Sequence, residues 1–165
     1  ALALALVLAL AVPAVAYAQT LVYVVRHAER ADGGAGTASM SGAPADPSLS
    51  AAGEARAAKL AAMLGDAGIT AIYATEFKRT QETARPLAAK AGITVSTVAA
   101  AATDALVRAI TTQHAKDVVL VVAHSNTIPA ILKAFGGPAV TVGDNDYDGL
   151  FLVVPATGVV SKIRY

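Results

Sequence analysis

Apolar positions along the chain follow two patterns. Residues 1–18 are apolar apart from Pro13 and carry no charged side chain. From residue 20 onward, short β-branched runs alternate with stretches in which apolar positions recur every three to four residues. Residues 20–26, Thr-Leu-Val-Tyr-Val-Val-Arg, suit a buried parallel strand. Residues 31–48 include Gly33, Gly34, Gly36, Pro44 and Pro47 without apolar periodicity, which predicts a long loop able to act as a mobile lid. Ser50, with Glu54 close behind, reads as the N-cap of a helix with an apolar face of Ala55, Ala58, Leu60, Ala61, Met63 and Leu64, ended by Gly65 and Gly68.

The alternation continues with strands at 69–74, 93–98 and 118–123 and helices at 76–90, 104–114 and 127–135, the last stopped by Gly136-Gly137-Pro138. Strands separated by helices of this length require crossovers, so the pattern predicts an α/β fold: a three-layer αβα sandwich around a mostly parallel sheet. Residues 150–155 and 159–165, separated by Ala156-Thr157-Gly158, predict an antiparallel hairpin at the C-terminal edge. One domain over 19–165, preceded by a leader over 1–18, is the expected organisation.

The leader ends in Ala16-Tyr17-Ala18 before Gln19, the small-x-small pattern of a signal-peptidase site. The expectation is a secretory signal peptide, truncated at its N-terminus and cleaved between Ala18 and Gln19, and an exported protein that is periplasmic or secreted. From residue 1 the apolar stretch falls short of the roughly 20 residues a bilayer requires. No cysteine follows it to accept a lipid, so no stable membrane anchor is expected after cleavage.

Charge and composition narrow the chemistry. The 13 Lys and Arg against 12 Asp and Glu leave a net charge of +1, with no extended basic surface for nucleic acid. The absence of cysteine removes disulfides, thiolate zinc sites and a cysteine nucleophile, and the absence of Trp removes the best platform for stacking bases. The many alanines are good helix formers that carry little side-chain information.

In open α/β sheets, ligands collect beyond the carboxyl ends of the strands. Arg26-His27-Ala28-Glu29-Arg30 follows the first strand, and His124-Ser125-Asn126 follows the strand at 118–123, so two of the three histidines stand where a ligand would. A third strand end leads through Thr75-Glu76-Phe77-Lys78 to Arg79 at the opening of a helix, where the N-terminal amides also favour an anion. Two arginines and two histidines around a helix start suit a dianionic phosphoryl group. An arginine fork holds two of its oxygens, and an imidazole with one nitrogen fixed by a hydrogen bond can attack phosphorus with the other. Arg79 could equally pair on the surface with Glu76 or Glu82.

Four blocks in order resemble the histidine phosphatase superfamily, also called the phosphoglycerate-mutase-like family. They are Arg26-His27, Asp46-Pro47-Ser48-Leu49-Ser50-Ala51-Ala52-Gly53, Arg79-Thr80-Gln81-Glu82-Thr83-Ala84 and His124-Ser125-Asn126. The resemblance runs from about residue 20 to the C-terminus, and Ala28 stands where the family often has Gly. It implies a phosphatase that hydrolyses a phosphate monoester or phosphoanhydride through a phosphohistidine on His27. Arg26 and Arg79 would clamp the phosphoryl oxygens, and His124 would stabilise charge in the transition state. Arg30 and Ser125 would add substrate contacts, Ser125 and Asn126 being equally placed to cap a helix.

The departure concerns the proton donor, which the family commonly places after the third strand or directly after the second histidine. Ser125 follows His124, and the segment after the third strand offers Asp104, which could instead cap its helix with Thr103. Glu29 is a second candidate acid. Lacking a strong acid, the enzyme would favour substrates with good leaving groups. The reading implies a small phosphorylated substrate, no cofactor and no metal; it leaves the oligomeric state open. A phosphoryl-binding protein without turnover is the alternative, and a phosphomutase is disfavoured because the chain lacks the long insertions that enclose a second phosphate site.

Three further features attract no chemistry. Gly33-Gly34-Ala35-Gly36-Thr37 lacks the Lys of a nucleotide-binding loop, and residues 143–149 lack the terminal Glu of a calcium loop and read as a solvated turn. His114 is expected near a helix C-terminus, where it meets the dipole favourably.

Overall fold

The computed structural model describes residues 20–33 and 46–165. The expected signal peptide and its cleavage site lie outside these residues, as does most of the expected loop at 31–48. Ten elements follow in chain order: β1 (Leu21–Arg26), α1 (Ala51–Leu64), β2 (Ile69–Thr75), α2 (Lys78–Ala91), β3 (Ser96–Val98), α3 (Thr103–Gln113), β4 (Val118–Ala123), α4 (Ile128–Ala134), β5 (Gly149–Val154) and β6 (Val159–Arg164). They form a six-stranded sheet in the order β3-β2-β4-β1-β5-β6. β3, β2, β4 and β1 run parallel, β5 adds antiparallel to β1, and β6 closes the edge antiparallel to β5.

Period-two alternation builds two cores. On β4, Val119, Val121 and Ala123 face one way and meet Leu106 and Ile110 of α3 and Ile128, Ile131 and Leu132 of α4. Leu120 and Val122 face the other way, onto Leu60, Ala61 and Leu64 of α1 and Leu87 and Ala88 of α2. Each face is therefore covered by a helix pair, as the strand–helix alternation predicts for a parallel sheet.

The connections leave β1 and β4 in opposite directions across the sheet, which opens a crevice beyond their carboxyl ends. The register does the rest: Arg26 of β1 pairs with Ala123 of β4, and the His27 amide donates to the Ala123 carbonyl at 2.9 Å. His27 and His124, nearly a hundred positions apart in sequence, thus emerge side by side.

Several local expectations are corrected. The third strand spans only Ser96–Val98, because the residues before it close α2. Gly92 adopts φ +68°, and the amides of Gly92 and Ile93 both turn back to the Ala88 carbonyl. The buried face of α1 is Gly53, Ala57, Leu60, Ala61 and Leu64, whereas Ala55, Ala58 and Met63 are exposed. With alanine on every side of this helix, hydrophobicity alone cannot set its phase. α2 begins at Lys78, leaving Glu76 and Phe77 in the turn before it, and α3 is preceded by Ala102 with no side-chain cap, so neither Thr103 nor Asp104 caps it. His114 follows α3 and bonds Asp117 through Nδ1 at 2.7 Å and the Tyr73 hydroxyl through Nε2 at 3.0 Å, a structural bridge between β2 and the start of β4.

Candidate active site

A cavity of about 800 Å³ opens beyond the carboxyl ends of β1, β2 and β4. Arg26, His27, Arg30, Arg79, His124, Ser125 and Asn126 line it, so the structure brings together every sequence-selected residue except the two candidate acids. His27 and His124 form its floor, 4% and 6% exposed, with ring centroids 5.3 Å apart.

The orientation of His27 follows from its neighbour. Its Nδ1 lies 2.8 Å from the Ala28 carbonyl, which can only accept, so Nδ1 carries the proton and Nε2 keeps a lone pair. Burial lowers the His27 pKa to about 3, and the nearby His124, Arg79 and Arg26 act in the same direction against the Ala28 hydrogen bond. A neutral imidazole with a fixed tautomer is a competent nucleophile at neutral pH.

His124 is fixed in the opposite sense. Arg79 approaches its Nδ1 at 3.5 Å and can only donate, which leaves Nε2–H to donate to the Thr75 hydroxyl at 2.9 Å. Thr75 passes the bond to the Thr80 hydroxyl at 2.8 Å, and Thr80 to the Phe77 carbonyl at 2.7 Å. Burial, followed by the charges of Arg79, Arg26 and Arg30, lowers the His124 pKa to about 4. The site therefore combines two neutral imidazoles with three guanidinium groups.

Two of those guanidinium groups are held by backbone and by rings, and Arg30 pairs with Asp32. Arg26 donates through Nη1 to the Gly143 and Asp144 carbonyls at 3.0 and 2.6 Å, and its guanidinium lies 4.0 Å from the centre of the Tyr147 ring. Arg79 lies 4.2 Å from the Phe77 ring centre and 3.7 Å from Asp46, the latter too long for more than a loose ion pair. Burial pushes the Arg79 pKa below the usual arginine range, with Arg30 adding to the effect and Asp46, Asp32 and Glu76 opposing it. Among the described residues, Arg26 Nε and Arg79 Nε and Nη1 are buried without a hydrogen-bond acceptor. Buried donors of this kind match an anionic ligand with several oxygens.

The sequence blocks that touch no ligand serve to position the nucleophile loop. The Ser50 amide donates to the Glu29 carbonyl at 2.9 Å, while the Ser50 hydroxyl accepts from the Gly53 amide at 3.1 Å and so caps α1. Gly53 sits so close to this loop that an added Cβ would come within 2.2 Å of the Glu29 carbonyl oxygen. On the other side, Thr83 of α2 accepts the Ala28 amide at 2.9 Å and donates to the Arg79 carbonyl at 2.6 Å, tying the His27 loop to the Arg79 helix. The Ala28 methyl is fully buried against Leu49 and Ala57, which accounts for Ala in place of Gly.

Neither candidate acid reaches the cavity. Asp104 is exposed in the first turn of α3 and does not line it. Glu29 holds Arg56 through both carboxylate oxygens at 2.6–2.9 Å, and Arg56 keeps its pKa below the usual carboxylate value against the effect of burial. Ser125 and Asn126 line the cavity without capping α4; Thr127 stands at the N-cap position with no side-chain cap bond, its hydroxyl accepting the His124 amide at 3.1 Å instead.

The turn at 143–149 is exposed at Gly143, Asp144 and Asn145, as a solvated turn is, but it has a role that its sequence did not reveal: it supplies the carbonyls that hold Arg26 and places Asp144, Asn145 and Tyr147 in the cavity wall. Its polar cluster is visible in the sequence, but its place beside β1 depends on β5 pairing there. Phe77, another wall residue, falls in the turn before α2 rather than in a helix.

The sequence model of the histidine phosphatase superfamily (branch 1) matches residues 22–102, which takes in Arg26, His27 and Arg79 and stops before His124. A mycobacterial glucosyl-3-phosphoglycerate phosphatase is similar in structure at a TM-score of 0.64 and 14% identity, covering 88% of this chain and 98% of its own. A candidate phosphohistidine phosphatase, SixA, from Agrobacterium tumefaciens superposes at 0.61 and 20% identity over 87% of this chain and 95% of its own. A candidate alpha-ribazole-5'-P phosphatase from Escherichia coli gives 0.66 and 14% over 88% and 95%. At these identities the likeness is one of fold. No curated protein sequence matches the chain. Among the described residues, no three His, Cys, Asp or Glu side chains group as a metal site, and no helix is long and apolar enough to cross a membrane.

Proposed function

The chain carries a histidine phosphatase superfamily domain, and from that premise we propose that it hydrolyses small phosphate monoesters or phosphoanhydrides through a phosphohistidine on His27, without a metal. The observation that carries this reading is the pairing of a neutral His27, its Nδ1–H fixed by Ala28 and its Nε2 left with a lone pair, with the buried and unspent donors of Arg26 and Arg79. Nε2 attacks phosphorus as the leaving oxygen departs, and water then attacks the phosphohistidine and returns the imidazole to its neutral form. Arg26, Arg79 and Arg30 balance the charge on the phosphoryl oxygens, which removes the need for a cation. His124, its Nε2–H given to Thr75 and its Nδ1 lone pair facing Arg79 at 3.5 Å, helps to orient the Arg79 guanidinium at the floor of the cavity. The neighbours suggest glucosyl-3-phosphoglycerate, alpha-ribazole-5'-phosphate and phosphohistidine as compounds to screen.

Turnover of an aryl phosphate by purified protein tests the reading. Activity is expected to survive EDTA, to be inhibited by vanadate and to vanish in His27→Ala. A metal requirement would overturn the metal-free mechanism, and near-native turnover by His27→Ala would overturn the nucleophile. Protein that binds orthophosphate but turns nothing over would be a phosphoryl-binding protein instead.

The leader supports a further proposal, that the domain works outside the cytoplasm. The exported product is expected to start at Gln19, and its intact mass checks this; a product that retains residues 1–18 would count against export by cleavage.

A further inference from the structure

We infer that Asp144 is the proton donor of this site, an inference that rests on the phosphatase reading above. Among the described residues, Asp144 is the one carboxylate that lines the cavity. The other carboxylates at this end of the molecule are engaged. Asp32 pairs with Arg30, Asp46 accepts the Lys78 amide at 2.8 Å, Glu76 accepts the Ala100 amide at 2.8 Å, Glu82 accepts the Leu49 amide at 2.8 Å, and Glu29 holds Arg56. The Asp144 carboxylate makes no hydrogen bond or ion pair among the described residues, while its backbone carbonyl accepts from Arg26 at 2.6 Å. The side chain is thus free to react on a segment fixed to the phosphoryl-binding arginine.

Exposure matches the role: His27 and His124 are buried at the floor of the cavity, whereas Asp144 is an exposed residue of its wall. In the first step the Nε2–P bond forms, the P–O bond to the leaving group breaks, and the Asp144 proton moves to the departing oxygen. In the second step the Asp144 carboxylate takes a proton from water as water's oxygen bonds phosphorus, and the P–N bond breaks. The net reaction is ester plus water giving alcohol plus phosphate, with His27 and Asp144 restored. An acid here also removes the ground for expecting a restriction to good leaving groups.

The test is a series of phosphate esters of graded leaving-group pKa, measured on wild type, Asp144→Asn and Asp104→Asn where phosphorylation of His27 limits the rate. Asp144→Asn keeps the carbonyl that holds Arg26, and its vanadate affinity, expected within a few-fold of wild type, reports whether the phosphoryl site is intact. The wild type should show a shallow dependence on leaving-group pKa. Asp144→Asn should lose about two to four decades on alkyl esters and little on a nitrophenyl ester, which needs no acid. An equal loss across the series, no loss, or a steepening in Asp104→Asn alone would overturn the assignment to Asp144 and leave the phosphatase reading standing. A wild type that turns over none of the esters would overturn both.

Discussion

At the residue scale, the defining property of the site is that both imidazoles are buried and neutral. An unfolded histidine binds its proton near pH 6.5, but in the fold His27 does so only at about 3 and His124 at about 4. Below pH 6.5 the unfolded chain therefore binds more protons than the folded one, so stability falls as the pH falls from 6.5 toward 4. Each buried histidine contributes a slope of about 1.4 kcal/mol per pH unit in that window. The expected outcome is a fall in Tm from pH 6.5 to 4.5 that becomes shallower in His27→Asn and again in His124→Asn. Equal slopes in wild type and variants would mean that these rings are protonated in the fold. The same neutrality keeps Nε2 of His27 nucleophilic throughout this range.

At the element scale, the nucleophile loop is held between two helix starts: α1 approaches through Gly53 and Ser50, α2 through Thr83. Gly53 is required by proximity alone, since its backbone has an ordinary helical conformation. In Gly53→Ala the new methyl meets the Glu29 carbonyl, and either the helix or the loop must move. A loss of about 1–3 kcal/mol in stability is expected from such overpacking. A drop in kcat should accompany it, because Glu29 is two residues from His27. A denaturant melt and a kinetic assay on one preparation check both. Unchanged kcat in a destabilised protein would show that the loop is held by Thr83 and the β1–β4 register without α1.

At the scale of the whole molecule, the cavity is assembled from the ends of three strands, the start of α2 and the turn before β5. None of these contributes a complete oxyanion site, so binding couples to the folded state as a unit. Vanadate at about one hundred times its Kd is expected to stabilise the protein by about 2.7 kcal/mol, or about 5–10 °C in Tm. Arg79→Ala should lose most of that shift. A shift that persists undiminished in Arg79→Ala would place the anion elsewhere on the molecule.

Strand and helix order was readable in the sequence because β-branched runs and Gly stops are local signals, as at 118–123 and at Gly92. The parallel sheet and its antiparallel edge hairpin follow from connection lengths, which are local too. Arg26, His27, Arg79 and His124 could be selected because strand ends in open sheets are binding positions whatever the strand order. Pairing was beyond reach, because register and neighbours depend on contacts between residues far apart in the chain. Arg26 opposite Ala123 sets the two histidines side by side, and β5 beside β1 brings the 143–149 turn to Arg26. Asp144 and Tyr147 therefore carried no local sign of their place, while Asp104, suggested by its position after the third strand, lies outside the cavity. The phase of α1 was hidden for a related reason: with alanine on all its faces, only packing against α2 and the face of the sheet decides which side is buried.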